Sequence, residues 1–280
     1  MFEKKDIAEY YNTTQTHYEQ WWNLKKHLSL HYGIWDEKTK TFGDAIINTN
    51  KILLKLSQIS GTDKVLDAGC GVGGAAFFIN KSTNAKVIGI SLSEKQISLA
   101  KKTAIDNNVE DKVEFHIMDF TNTTFPSESF DVIWACESVC HASNKVDFIE
   151  ECFRLLKKGG RLILCDFFLT DTNQDDKKQW IYKWKTTWAV QDFVTKDYFV
   201  TNLQQKGFHT INTWNHTDDI RKSAKRLYYA SLIGFIPSII YNLFHPNISR
   251  FAKTHYKCGY YQYRALNENL WNYNIILAEK

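Results

Sequence analysis

Val65-Leu66-Asp67-Ala68-Gly69-Cys70-Gly71-Val72-Gly73-Gly74 decides how this chain is read. Two apolar residues and an acid close a buried strand, and spaced glycines then carry the backbone into a helix. Gly69 and Gly71 allow a tight turn and bring backbone close to a ligand with no Cβ in the way. The helix that follows presents unsatisfied N–H groups at its start. Turning alone does not require three spaced glycines, so the stretch reads as a site for a nucleotide-like ligand.

Gly69, Gly71 and Gly74 also satisfy the dinucleotide fingerprint, so a nicotinamide enzyme competes with an S-adenosylmethionine enzyme. Asp67 separates the two. A carboxylate at the strand end accepts hydrogen bonds from the ammonium of a methionine moiety and repels a pyrophosphate.

Working outward, short apolar runs alternate with amphipathic stretches. Lys64–Ala68, Lys86–Ile90, Val113–Ile117, Phe130–Ala135 and Arg161–Phe168 read as strands, and the segments between them as helices. Ser93 with Gln96 three residues later is a capping-box signal opening one helix. Gly159-Gly160 is expected to stop the helix defined by Phe148, Ile149, Cys152, Phe153 and Leu156. The pattern predicts an α/β fold with a doubly wound, mainly parallel sheet. Phe208–Trp214 and Trp271–Ala278 supply the last two strands, making seven.

One domain over 1–280 is expected: an N-terminal helical cover (1–60), a ligand-binding core (61–170) and an acceptor side (171–280) with a helical lid at about 215–268. Trp180, Trp184 and Trp188 recur at helical spacing. The lid holds the most hydrophobic segment, Leu227–Phe244, preceded by Arg221, Lys222, Lys225 and Arg226. Gly234, Pro237, Ser238 and Asn242 are expected to interrupt it, which tells against a membrane span. A substrate lid and a peripheral membrane contact through 221–244 both stay open.

Further positions fit the same ligand. Ser91, Leu92 and Gln96 after the second strand offer hydrogen bonds to ribose hydroxyls, although most nucleotide sites place an acid at the Ser91 position. Asp119 and Phe120 after the third can accept from an adenine amino group and pack on its ring.

Together with Phe130–Ser138 and Leu155–Leu162, these ordered motifs resemble the class I S-adenosylmethionine-dependent methyltransferases. Within them the chain is most similar to the small-molecule branch of tocopherol and sterol methyltransferases and cyclopropane fatty-acid synthases. The resemblance spans about 31–168 and implies a Rossmann-like fold. It implies that Asp67, Gly69, Gly71 and Gly73 surround the methionine end, and that Ser91, Leu92 and Gln96 hold the ribose. Asp119 and Phe120 would hold the adenine, with Cys136 opposite the glycine loop. His31-Tyr32-Gly33-Ile34-Trp35-Asp36 resembles the segment that closes over the cofactor, which makes His31 and Tyr32 candidates near the methyl group. Glu137 and His141 are candidate proton acceptors. Where many relatives carry Glu-His, this chain has Cys140-His141, which tells against cyclopropane formation.

With 35 basic and 31 acidic residues the formal charge is +4, too mild for the footprint of a nucleic-acid binder. The six cysteines lie mostly in apolar patterns without paired CxxC spacing and read as reduced core thiols. Cys136, Cys140 and His141 lack a fourth ligand for zinc, so no metal is expected. The charged N-terminus has no apolar signal core, and a cytoplasmic protein is expected, with a peripheral place at a membrane surface left open.

All fourteen tyrosines, and every tryptophan except Trp134, lie outside 61–170, in the flanks that form the acceptor side. Tyr10, Tyr11, Tyr18, Trp21, Trp22, Trp35, Trp180, Trp184, Trp188, Tyr228 and Tyr229 suit either a lipophilic or aromatic acceptor or simple lid packing. The expected function is methyl transfer to such an acceptor at carbon, oxygen or nitrogen. An RNA or protein methyltransferase and a non-catalytic S-adenosylmethionine-binding protein are the alternatives. Against the former, Cys136-Glu137-Ser138-Val139 stands where an Asn/Asp-Pro-Pro-Tyr-type motif would be. Oligomeric state is not legible.

Overall fold

A computed structural model describes residues 2–21 and 27–280, with the side chains of 15–21 outside the description. Three of the aromatic candidates, Tyr18, Trp21 and Trp22, therefore lie outside the described side chains.

Seven strands form one sheet in the order β3-β2-β1-β4-β5-β7-β6. They are β1 (Lys64–Ala68), β2 (Lys86–Ser91), β3 (Val113–Ile117), β4 (Phe130–Cys136), β5 (Leu156–Leu169), β6 (His209–Asn215) and β7 (Trp271–Glu279). The first five run parallel, and β7 is antiparallel to both of its neighbours. This is the α/β, mainly parallel seven-stranded arrangement expected from the alternating runs. Both faces of the central strands are covered, so they read as near-continuous apolar runs rather than alternating ones. Val65, Val87, Trp134 and Ile163 pack on one side of the sheet, and Leu66, Ile88, Ile133 and Leu164 on the other.

Helices α1 (Lys4–Trp21) and α2 (Phe42–Ser57) precede the sheet. Thr41 and Asp44 cap α2 reciprocally, satisfying two otherwise orphaned donors. Between strands run α3 (Gly74–Thr83), α4 (Glu94–Asp106) and α5 (Lys145–Leu155), followed by α6 (Trp180–Thr187) and α7 (Lys196–Lys206). Ser93 caps α4 through Gln96 N–H, as its spacing predicts. Between β6 and β7 lie α8 (Arg221–Phe244), α9 (Arg250–Thr254) and α10 (Cys258–Asn267).

Two local expectations are corrected. Gly159-Gly160 does not stop α5, which ends at Leu155. Leu156 already pairs with Phe130, and a register shift between Phe130 and Val132 absorbs the extra residues. Gly159, at φ +72°, donates to Lys280 O at 2.7 Å and so serves an irregular strand. Nor do Gly234, Pro237, Ser238 and Asn242 interrupt the lid segment, since α8 runs through all four for 24 residues.

Candidate active site

Asp67 points from the end of β1 into a cleft formed where the strand order reverses. It is 2% exposed, and its Oδ2 has no hydrogen-bond partner among the described residues. Burial raises its carboxyl from the ordinary value to about 7. A buried carboxylate lacking a donor is costly in isolation, and a ligand ammonium supplies what is missing.

The glycines divide their work. Gly69, at φ +93°, lies against Ser138, whose Cβ would stand 2.3 Å from any Cβ added there. Gly69 N–H and Cys70 N–H both donate to Ile90 O, which fixes the turn against β2. Gly71 faces the cleft: an added Cβ would find its nearest neighbour, Gln96 Nε2, only at 4.0 Å. Gly73 does not itself line the cleft. It sits at the start of α3 with φ +89°, and an added Cβ would meet the Phe115 ring at 2.6 Å.

Ser91, Leu92, Gln96, Asp119, Phe120 and Cys136 all line the same cleft. Ser91 Oγ donates to Gln96 Oε1 at 3.0 Å, which sets both groups side by side at the end of β2. Asp119 closes its own turn by accepting from Thr121 N–H and Oγ1, and Lys4 Nζ of α1 lies 2.5 Å from its Oδ2. The Phe120 ring is held edge-on by Phe148. Cys136 Sγ lies 3.2 Å from Cys165 Sγ, and burial pushes its thiol pKa well up. This set fits S-adenosylmethionine: an acid with one unpartnered oxygen at the methionine end, hydroxyl and amide groups at the ribose, and an acid with an aromatic ring at the adenine.

The four catalytic candidates separate. His141 lines the cleft, with Nε2 2.8 Å from Tyr11 Oη and Nδ1 3.4 Å from Ala189 O. Burial lowers its pKa to about 4, so it is neutral at pH 7 and able to accept a proton. The short turn carrying it is pinned from two sides. Asp166 Oδ2 accepts from Cys140 N–H at 2.9 Å, and the buried Lys145 ammonium donates to Cys140 O and Ala142 O.

Glu137 is committed elsewhere: its Oε1 accepts from Tyr32 N–H at 2.6 Å and from Tyr273 Oη at 2.8 Å. It holds a left-handed conformation at φ 50° and is 7% exposed, and burial pushes its carboxyl pKa well up. His31 lines the cleft with Nδ1 2.9 Å from Tyr32 O, and burial takes it down to about 4. Tyr32 lies outside the cleft lining. Its hydroxyl donates to Gln262 Oε1 of α10 at 2.6 Å, and its ring packs edge-on against Phe167.

Beside the cleft lies a second cavity of about 760 Å³, walled by α8, α10 and the residues around α9. Leu30, Glu137 and Trp188 line both spaces and frame the junction between them. Most flanking aromatics are packing residues. Tyr10 and Trp184 are fully buried, Tyr228 stacks on Tyr260, and Trp35 Nε1 donates to Ser223. Tyr11 and Trp188 are exceptions: Tyr11 lines the cleft beside His141, and Trp188, stacked on Trp184, faces both spaces. Sequence reasoning missed Lys4, Lys145, Asp166 and Gln262.

Residues 66–164 match the family model described as a methyltransferase domain. These residues carry a methyltransferase domain. The chain is 37% identical over 141 residues to 27-O-demethylrifamycin SV methyltransferase of Amycolatopsis mediterranei, covering 50% of this chain and 52% of that protein. It is 32% identical over 170 residues to sterol 24-C-methyltransferase of Saccharomyces cerevisiae, covering 61% and 43%. Among solved structures, the [4+2]-cyclase SpnF superposes with a TM-score of 0.79 at 19% identity, over 99% of this chain and 96% of that one. That likeness concerns the fold alone. The chain matches about half the length of its curated relatives. Within this methyltransferase domain the cofactor is S-adenosylmethionine, and the cleft residues are those that would hold it.

Proposed function

We propose that the protein moves a methyl group from S-adenosylmethionine to a small apolar acceptor seated in the 760 Å³ cavity. The observation that carries this reading is the shared wall at Leu30, Glu137 and Trp188, which sets the cofactor cleft against a space of the size small-molecule sites occupy. The two relatives, named for a rifamycin and a sterol, point to the same class of acceptor.

When bound, S-adenosylmethionine supplies an electrophilic methyl group on a sulfonium. Asp67 anchors the methionine end, Ser91 and Gln96 the ribose, and Asp119 with Phe120 the adenine. Trp188 and Leu30 exclude water at the junction and align the acceptor. Such alignment can supply roughly 7–11 kcal/mol of a displacement barrier. A nucleophile that carries a proton must lose it, and that proton would pass to Tyr11 Oη as the phenol gives its own to neutral His141 Nε2. Glu137, already bonded to Tyr32 and Tyr273, acts as a positioning residue that shapes the junction.

The test is S-adenosylhomocysteine formation with a panel of sterol, isoprenoid and polyketide acceptors. Acceptor-dependent turnover is expected with at least one class. Cofactor binding with no turnover on any apolar acceptor would overturn the reading.

A further inference from the structure

The lid helix α8 is built inside out beyond its midpoint. Its first half buries Ser223, Ala224, Leu227, Ser231 and Gly234, a stripe of small residues against which α10 crosses closely. An added Cβ at Gly259 of α10 would stand 2.6 Å from Leu227 O. After Gly234 no α8 residue is buried. The two half-buried positions there are polar, Ser238 and Asn242; both line the cavity, and Asn242 Nδ2 donates to Lys253 O at 3.0 Å. The apolar side chains face outward instead: Ile236 is 67% exposed, Leu243 75% and Phe244 78%, with Phe235, Ile239 and Ile240 also exposed. A helix in contact with water places these two classes the other way round.

The charge of the chain is distributed to match. Residues 221–267 contain eight Lys and Arg and no Asp or Glu, although the whole chain has 35 and 31. That stretch carries +8 and the rest of the protein is net negative, although Asp218, Asp219 and Glu268 flank it and Arg221 and Arg250 are ion-paired with Asp218 and Asp6. Lys253 and Lys257 come nine and thirteen residues after Phe244, with Lys253 Nζ donating to Pro246 O, and the Tyr256 ring between them packs edge-on against Phe235.

We propose that the C-terminal half of α8 docks in an anionic phospholipid bilayer surface, with the lid's basic residues on the headgroups. Exposed apolar area combined with like-signed cationic flanks is what an interfacial helix needs. The ten residues beyond Gly234 reach about 15 Å, half of a hydrocarbon core of about 30 Å, so the tip enters one leaflet and does not cross. A second copy of this chain is the weaker occupant, because face-to-face association would bring two net-positive lids together.

Ile233, Pro237 and Tyr241 of the same helix stretch wall the 760 Å³ cavity, which places its lining beside the docked lipid. Entry of the acceptor from the bilayer therefore follows, and this step alone rests on the acceptor reading above.

The experiment is flotation of the full chain, without cofactor, on phosphatidylcholine vesicles with and without phosphatidylglycerol, at low and high salt. Partitioning onto the anionic vesicles is expected, with weakening by salt. Changing Ile236, Leu243 and Phe244 together to Ser should lower the partition coefficient by about a hundredfold or more, with the thermal transition unchanged. A second variant, Lys253→Glu with Lys257→Glu, should weaken anionic binding while leaving the apolar tip intact. No partitioning, or equal partitioning onto neutral vesicles with both variants bound as tightly, would overturn the proposal. So would a stable dimer that loses its association in the triple Ser variant and ignores lipid. Methyl transfer is not read in this assay, so its outcome is independent of the acceptor.

Discussion

Tyr11 Oη and His141 Nε2 lie 2.8 Å apart, joining α1 of the N-terminal cover to the turn after β4 across the cofactor cleft. The imidazole is thus oriented from above by a phenol and from behind by Ala189 O. His141→Asn should lower kcat by about 100-fold or more for an acceptor that must lose a proton, with little change in cofactor affinity. Tyr11→Phe should retain part of that activity. Steady-state kinetics with separate cofactor titration distinguishes the two effects.

Asp67 gives a prediction of opposite sign for stability and binding. Its carboxyl rises from 3.8 to about 7 in the folded protein through burial. A raised folded pKa means that the native state holds the proton more tightly, so this group's contribution is full below about pH 4 and is lost as pH rises towards 7. The cost at pH 7 is about 3 to 4 kcal/mol. Asp67→Asn should therefore raise stability at pH 7.5 and lose that advantage near pH 4, while weakening S-adenosylmethionine binding. Denaturant titrations at the two pH values and calorimetric binding test both halves.

His31 and His141 behave in the reverse sense. Burial lowers both to about 4, below the ordinary value of 6.5. Their contribution is complete above pH 6.5 and is lost as pH falls from there to about 4, because the unfolded chain takes up protons first. Each group accounts for up to about 3 kcal/mol across that window. The difference in unfolding free energy between wild type and His141→Asn, followed from pH 7 to 4, should show this slope.

Much of the fold and part of the cleft were legible because their causes are local. Asp67 and the glycines, the Ser93 cap and the apolar strand runs each declare themselves within about ten residues. Nothing local in the glycine stretch shows that Phe115 and Phe77 fill the space beside Gly73. Tyr32 and Glu137 looked like chemistry in the sequence. Their partners, Gln262 and Tyr273, lie far along the chain, and only the folded sheet brings them together. The same holds for Lys4 at Asp119 and for Lys145 and Asp166 behind His141.

Glu137→Ala should act on stability more than on chemistry. It removes the acceptor shared by Tyr32 N–H and Tyr273 Oη, the latter keeping its Cys165 Sγ contact at 3.3 Å, at a cost of about 1–3 kcal/mol for each bond lost. Glu137→Gln should recover part of that loss. Chemical denaturation of both variants, beside Tyr273→Phe in a double-mutant cycle, measures the coupling.

Filling the second cavity should separate acceptor from cofactor. Ser238→Phe projects into it from α8, and an acceptor that fits there should show a KM raised by about tenfold with cofactor affinity unchanged. An unchanged KM would place the acceptor elsewhere.

Incubation with S-adenosylmethionine bearing a labelled methyl group and a total cell extract, with Asp67→Ala as control, tests the central claim most directly. The account predicts label in the organic-soluble fraction, absent in the control, with a product whose mass has grown by one or more methyl groups. Label confined to RNA or protein, or none in any fraction while the cofactor binds, would contradict it.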